Sequence, residues 1–200
     1  VSGPALQPVA SADAGQPSAW IRRFAHLLPH DAEVLDVACG SGRHLRFLAE
    51  VRPDLRLHGV DRDAVAVEPL HELARITVAD IEQGPWPFAG RAFGGLLVTN
   101  YLWRPRWPDL AAALAPGGVL LYETFARGHE AIGRPSRPDF LLQPGELLRW
   151  ATSTGWQVVA FEEGLETEPH RVVQRIAAVR PPAFGAGGVP APPRLARVSA

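Results

Sequence analysis

Val34-Leu35-Asp36-Val37-Ala38-Cys39-Gly40-Ser41-Gly42-Arg43-His44 reads as a strand, a tight glycine turn and the opening of a helix. The apolar run up to Asp36 suits a strand buried on both faces, while Gly40 and Gly42 permit backbone angles and a close ligand approach that a Cβ would block. The helix that follows, from about Ser41 to Glu50, points its unpaired N–H groups and positive dipole end at whatever lies beyond the strand tip. The loop is therefore built to hold a small charged ligand. A dinucleotide fingerprint needs a third glycine three residues after the second, but Leu45 stands there. A P-loop needs Lys followed by Ser or Thr, where this chain has Arg43-His44.

Outward from this loop the chain repeats one theme. Leu55–Asp61 alternates like a second parallel strand and ends in an acid nineteen residues beyond Gly42. A carboxylate at that strand tip offers two acceptor oxygens to a vicinal diol, so Asp61 is read as the ribose ligand; the competing role is a helix N-cap for the segment from Asp63 to Leu73. Arg75–Asp80 is a third strand, again with an acid at its end. Ala92–Val98 is a fourth, followed by Thr99-Asn100-Tyr101-Leu102-Trp103-Arg104-Pro105. A short helix over Pro108–Leu114 and the turn Pro116-Gly117-Gly118 lead into a fifth strand, Val119–Phe125. A helix over Pro144–Ser153 and two strands, Gln157–Glu162 and Val172–Val179, complete seven strands.

Upstream, Ser18 can cap a helix whose Trp20, Ile21, Phe24, Leu27 and Leu28 fall on one face. Residues 1–17 and 181–200 are rich in Pro, Gly, Ala and Ser without apolar periodicity, and read as a flexible arm and a disordered tail around a domain spanning 18–180. The polar, proline-punctuated stretch Ala126–Leu142, carrying Arg127, His129 and Glu130, lies where ligands bind in such sheets and is a candidate substrate lid.

D-V-A-C-G-S-G resembles the first motif of the class I S-adenosylmethionine-dependent methyltransferases, departing from it at Ala38, where many members carry glycine. L-x-P-G-G before the fifth strand is another feature of that class. N-Y-L-W-R-P together with E-T-F-A-R-G is similar to small bacterial proteins near the tellurite-resistance and thiopurine methyltransferases. The resemblance covers about residues 18–180. It implies an α/β fold: a Rossmann-like, doubly wound, seven-stranded, mostly parallel sheet with an antiparallel last strand and helices on both faces.

It also implies S-adenosylmethionine as cofactor, leaving as S-adenosylhomocysteine. Asp36, Ala38, Cys39, Gly40, Ser41 and Gly42 then form the binding loop, Asp61 and Arg62 serve the ribose end, Asp80 and Ile81 the adenine, and Asn100 and Tyr101 the neighbourhood of the methyl group. Trp103, Arg104 and Arg127 are the expected substrate-binding residues. Tyr101, His129 and Glu130 are the nearest candidates for an acid or base. Base-amino methyltransferases generally carry N/D-P-P-Y/F where this chain has Asn100-Tyr101-Leu102-Trp103, so nucleic-acid amino methylation is disfavoured and a small-molecule acceptor expected.

Composition narrows the chemistry further. All twenty basic residues are arginine, so no lysine Schiff base or lysine general base can operate. A net charge of −1 provides no global field for nucleic acid or an anionic membrane. One cysteine cannot make an internal disulfide, and no His/Asp/Glu spacing resembles a metal site, so no metal is expected. With no signal-like leader and no long apolar run, a cytoplasmic location is expected. Two other functions remain open: an adenosyl-ligand sensor or scaffold without catalysis, and, weakened by Leu45, an NAD-dependent oxidoreductase.

Overall fold

The computed structural model describes residues 15–182. Most of the expected arm and tail, residues 1–14 and 183–200, lies outside the described residues. In chain order the regular elements are α1 (Ala19–Phe24), β1 (Glu33–Val37), α2 (Arg43–Val51), β2 (Arg56–Asp61), α3 (Ala64–Val67), β3 (Arg75–Val78), β4 (Phe93–Thr99), α4 (Trp107–Ala113), β5 (Leu114–Phe125), α5 (Glu146–Ser153), β6 (Gln157–Thr167) and β7 (His170–Val179). The sheet order is β3-β2-β1-β4-β5-β7-β6. Strands β1 to β5 pair in parallel, and β7 is antiparallel to both β5 and β6. The antiparallel strand expected last is thus β7, inserted between β5 and the edge strand β6.

Order reverses between β1 and β4, which makes their carboxyl ends a topological switch point where open α/β sheets bind ligands. Register brings the functional tips to that one edge: Val37 pairs with Val60 and Val98, Asp61 with Val78, and Thr99 with Glu123.

Strand alternation sorts side chains onto two faces. Val34, Leu57, Leu97 and Leu121 face Trp20, Ile21 and Phe24 of α1, Leu45 and Leu48 of α2, and Val67 and Leu70. Leu35, Val60, Leu96, Val98, Leu120 and Tyr122 face Leu110 of α4, Leu147 and Ala151 of α5, and Trp156. Helices therefore cover both faces, as expected. Trp20 is core, its Nε1–H donating to the Ile176 carbonyl, and Arg23 pairs with Glu162. Ser18 caps α1 by accepting from the Trp20 N–H.

Several boundaries read from the sequence differ from the structure, β6 for one running on to Thr167 and β7 starting at His170. The helix expected over 63–73 stops at Val67 and continues as a 3-10 turn over Glu68–Leu70, because Pro69 has no N–H to carry an α-helical ladder. The Pro116-Gly117-Gly118 turn is an irregularity inside β5, which starts at Leu114; the β4–β5 register shifts between Phe93 and Gly95, and Gly117 takes φ +78° to absorb it.

Candidate active site

The donor side is organised by backbone amides. Gly40 N–H donates to Asp61 Oδ2 at 2.8 Å and Asp63 N–H donates to Asp61 Oδ1 at 3.0 Å. Each oxygen of a carboxylate has two lone pairs, so Asp61 keeps one on each oxygen beyond these amide contacts. The helix-cap role weighed for Asp61 belongs to Asp63, whose Oδ1 accepts from Val65 and Ala66 N–H. At β3, Asp80 Oδ1 accepts from the amides of Glu82 (2.9 Å) and Gln83 (3.1 Å). The Gln83 and Glu82 amides, helped by the nearby Arg62 guanidinium, hold the Asp80 carboxyl below its usual range. Ile81 is buried beside it.

The loop between is held open. A Cβ at Gly40 would meet no atom within 4 Å, so the space over the loop is free, whereas one at Gly42 would strike Leu70 at 2.5 Å. Gly42 sits at φ +77° and starts α2. Ala38, where glycine is usual in the resembling class, also has positive φ, +55°. Ser41 is exposed at the turn.

Two loop residues act from beneath. Asp36 is the penultimate residue of β1, only 1% exposed, with both carboxylate oxygens lacking a hydrogen-bond partner; its neighbour is His44 Nδ1 at 3.6 Å. It is not a strand-tip group like Asp61 and Asp80. Cys39 turns inward, its Sγ filling the space over Gly59. Burial, reinforced by the charges of Asp36 and Asp61, pushes its thiol far above the usual range, so it is a packing residue and no thiolate.

Asp36 begins a buried polar row on the α1–α2 face. His44 Nε2 accepts from Ser18 N–H, Ser18 Oγ donates to Glu123 Oε1, and Glu123, fully buried, also takes Arg171 Nη2 at 3.0 Å and lies 3.4 Å from Arg175 Nη1. The row ties the leading helix to the tips of β1, β4 and β5.

Across the switch point lies a cavity of about 250 Å³, lined by Glu82, Asn100, Tyr101, Leu102, Thr124, Phe125, Pro135 and Phe140. Asn100 holds φ +54°, a left-handed position that asparagine tolerates, and its N–H donates to the Glu123 carbonyl. Tyr122 Oη donates to the Tyr101 carbonyl at 2.9 Å, fixing the backbone there. Tyr101 Oη itself is shut off from solvent with no partner. Burial first, then the Glu82 carboxylate, push its phenol far above the usual range, so it is a proton-bearing donor and no base.

The expected lid, 126–142, is pinched shut at its base. Arg127 N–H donates to the Leu142 carbonyl, Leu142 N–H to the Phe125 carbonyl and Ala126 N–H to the Val172 carbonyl. Pro135 and Phe140 reach the cavity from it. The other charged candidates hold this segment in place. Arg104 makes a bidentate pair with Glu146 (2.6 and 2.8 Å) and donates to the carbonyls of Asp139 and Leu141. Arg127 pairs with Glu130, which also accepts from Gly128 N–H. The backbone amides of Glu130 and Gly128, with Arg127, hold the Glu130 carboxyl below its usual range. Both ring nitrogens of His129 are occupied, by the Arg134 carbonyl and the Val172 amide. Trp103 is half-buried and does not line the cavity.

Of the residues expected around the methyl group, Asn100 and Tyr101 therefore meet at one cavity, while Arg104, Arg127, His129 and Glu130 are engaged in local structure. Sequence reasoning missed Glu82, Thr124, Phe125, Pro135 and Phe140. Only Thr124 and Phe125, at a strand end beside a glycine-bearing turn, carried any signal.

Residues 34–118 match the family model described as a methyltransferase domain. The chain superimposes on an S-adenosylmethionine-dependent methyltransferase from Aquifex aeolicus with a TM-score of 0.59, at 15% identity over 81% of this chain and 89% of that one. The chain shares the fold of S-adenosylmethionine-dependent methyltransferases. A TehB-like S-adenosylmethionine-dependent methyltransferase from Corynebacterium glutamicum gives a TM-score of 0.56 at 17% identity, over 80% of this chain and 86% of that one, and fits the small bacterial group whose motifs this chain resembles. A 58-residue segment is 40% identical to the carboxy-S-adenosyl-L-methionine synthase of Campylobacter jejuni, covering 29% of this chain; it spans only 25% of that relative's length. Among the described residues no helix is long and apolar enough to cross a membrane.

Proposed function

We propose that this chain transfers a methyl group from S-adenosylmethionine to a small-molecule acceptor bound between the tips of β4 and β5. The observation that carries the reading is Asp61: it is clamped by the Gly40 and Asp63 amides yet keeps a lone pair on each oxygen beside an open glycine loop. That arrangement fits a ribose diol, and Asp80 with Ile81 fits an adenine edge and face. Arg62, near Asp80, adds positive potential at that end. Gly40 and Ser41 offer backbone approach to the sulfonium ligand, whereas Asp36 and Cys39, being buried, position the loop from below.

The sulfonium supplies an already electrophilic methyl group. What remains for the protein is to align the acceptor and exclude water, and the cavity walls suit both tasks. Tyr101 keeps its proton and Glu130 and His129 are tied up locally, so none of these three is assigned as a general base.

Titration calorimetry tests the donor side. S-adenosylmethionine and S-adenosylhomocysteine should bind saturably, and Asp61→Ala should weaken both about ten- to a hundredfold, the scale of one or two hydrogen bonds to a charged acceptor. Absence of binding by either ligand overturns the proposal. A second reading, an adenosyl-ligand protein that transfers no methyl group, draws on the lack of a base among those three residues and on the similarity to a synthase of an adenosyl sulfonium. Transfer of labelled methyl to any member of an acceptor panel rules it out.

A further inference from the structure

The cavity between the β4 and β5 tips has a one-sided charge. Glu82 is its sole formally charged lining residue, and among the described residues it makes no ion pair. Three arginines of the surrounding segments are committed elsewhere: Arg104 is held by Glu146, Arg127 by Glu130, and Arg106 by Asp109 and the carbonyls of Ile81 and Gly84. None of these guanidinium groups lines the cavity to receive an anionic ligand. Around the carboxylate stand the rings of Tyr101, Phe125 and Phe140 with Leu102, surfaces that take an apolar body and, through their π-faces, a cation. Tyr101 contributes its ring rather than its Oη, which is shut off from solvent. The volume, about 250 Å³, falls just below the range of about 300–1,000 Å³ usual for drug-sized ligands, which limits the occupant to a single ring or an equivalent chain.

We propose that the acceptor is a compact primary or secondary amine with an apolar body, which enters as the ammonium paired with Glu82 and stacks its body between Tyr101, Phe125 and Phe140; the ammonium passes one proton to the Glu82 carboxylate, and the freed nitrogen lone pair forms the N–CH3 bond as the methyl–sulfur bond of S-adenosylmethionine breaks and S-adenosylhomocysteine leaves. This rests on the reading of the cavity as the acceptor subsite, and it names the class that subsite selects. Carboxylate- and phosphate-bearing molecules of the same shape are rejected, because burying an anion beside Glu82 leaves two like charges without a counterion.

Three isosteric probes separate charge from shape: 2-phenylethylamine, 2-phenylethanol and 3-phenylpropionate. They are titrated by calorimetry into the full chain, once alone and once saturated with S-adenosylhomocysteine. The amine should bind about tenfold or more tightly than the alcohol, the difference expected of a charge-assisted hydrogen bond, and the carboxylate should bind weakest. Glu82→Gln should erase the preference for amine over alcohol, and Glu82→Arg should reverse the order in favour of the carboxylate. Thermal midpoints of both variants, read alongside, confirm that the fold persists. Equal binding of amine and carboxylate to the unaltered chain, or an amine preference that survives Glu82→Gln, overturns the assignment. Failure of S-adenosylhomocysteine to bind, with the amine order intact, sinks the methyl-donor reading alone.

Discussion

The two sides of the candidate site, the proposed donor half and the proposed acceptor half, are built from different materials. On the donor half, Asp61, Asp80 and the 38–42 loop are set by main-chain amides: Gly40 and Asp63 on one carboxylate, Glu82 and Gln83 on the other. On the acceptor half, position is set by side chains from distant parts of the chain, with Arg104 on Glu146, Glu123 on Arg171, and Tyr122 on the Tyr101 carbonyl. A backbone scaffold tolerates few backbone geometries and few residue types. A side-chain scaffold can change its occupants in pairs, which suits a pocket whose ligand varies while the donor stays the same.

The comparison breaks most visibly on the donor half, at Gly42→Ala. Its φ of +77° disfavours alanine by about 1–2 kcal/mol, and the new Cβ would lie 2.5 Å from Leu70, which is itself fully buried and cannot swing away. Including overpacking of about 1–3 kcal/mol, the expected loss of unfolding free energy is about 2–5 kcal/mol, with S-adenosylhomocysteine affinity falling at least tenfold. Unchanged affinity would show that the loop geometry is not what holds the ligand. On the acceptor half the sharpest probe is Glu123. Glu123→Ala takes a fully buried carboxylate from Arg171 and Arg175, which keep Glu166, and should cost about 1.5–3 kcal/mol of unfolding free energy, the scale of a lost hydrogen bond to a charged group. Chemical denaturation measures it, and a loss under 1 kcal/mol contradicts a side-chain-built acceptor half.

This difference in materials explains what could be read from the sequence. Glycines, strand-end acids and the order of apolar runs are local signals, so the sheet, the glycine loop and the placement of Asp61 at the end of β2 and of Asp80 just after β3 were legible in the sequence. The short range of α3 was less so, since Pro69 could equally have sat in the first turn of a later helix. The acceptor half was illegible for a physical reason: Glu82, Thr124, Phe125 and Phe140 come together only when β3, β5 and the 126–142 segment fold onto one another, and none has a spacing that announces it. Arg104 and Arg127 misled because an arginine in a polar loop looks the same whether it awaits a ligand or clasps a neighbour 42 or 3 residues away.

Acid should separate the halves without mutation. Burial works against ionising Glu146, but its hydrogen bonds from Arg104 and the Gln143 amide outweigh that and hold its carboxyl below the ordinary 4.5. Glu130 is depressed as well, by its own and the Gly128 amides and by Arg127. A depressed carboxyl stabilises the fold fully above the unfolded-chain value, and the contribution is lost as pH falls through the lower folded value. Below about pH 4.5, therefore, the base of the 126–142 segment should loosen first. Hydrogen exchange read relative to intrinsic rates should rise at the Arg127 and Leu142 amides, while Cys39 N–H, bonded to the Val60 carbonyl, stays protected. Simultaneous loss at all three would mean that the halves unfold as one.

The smallest effect tests whether the donor loop is fully optimised. Ala38 occupies φ +55°, where an L-residue with a Cβ pays about 1–2 kcal/mol relative to its relaxed state. Ala38→Gly removes that strain but adds unfolded-chain freedom worth about 0.5–1 kcal/mol, so the net should be a stabilisation of about 0.5 kcal/mol. For a chain of this size that is a rise of about 1–2 °C in the thermal midpoint. Asn100, at φ +54° on the acceptor half, is a residue type that accepts the left-handed region, so Asn100→Gly should have no such strain to relieve and should leave the midpoint level or lower. Opposite signs at two positions with nearly the same φ isolate the side chain as the cause. If Ala38→Gly instead lowers the midpoint, the Ala38 methyl group contributes packing that exceeds its strain, and the departure from glycine at this position is a feature of how this loop is held rather than a tolerated cost.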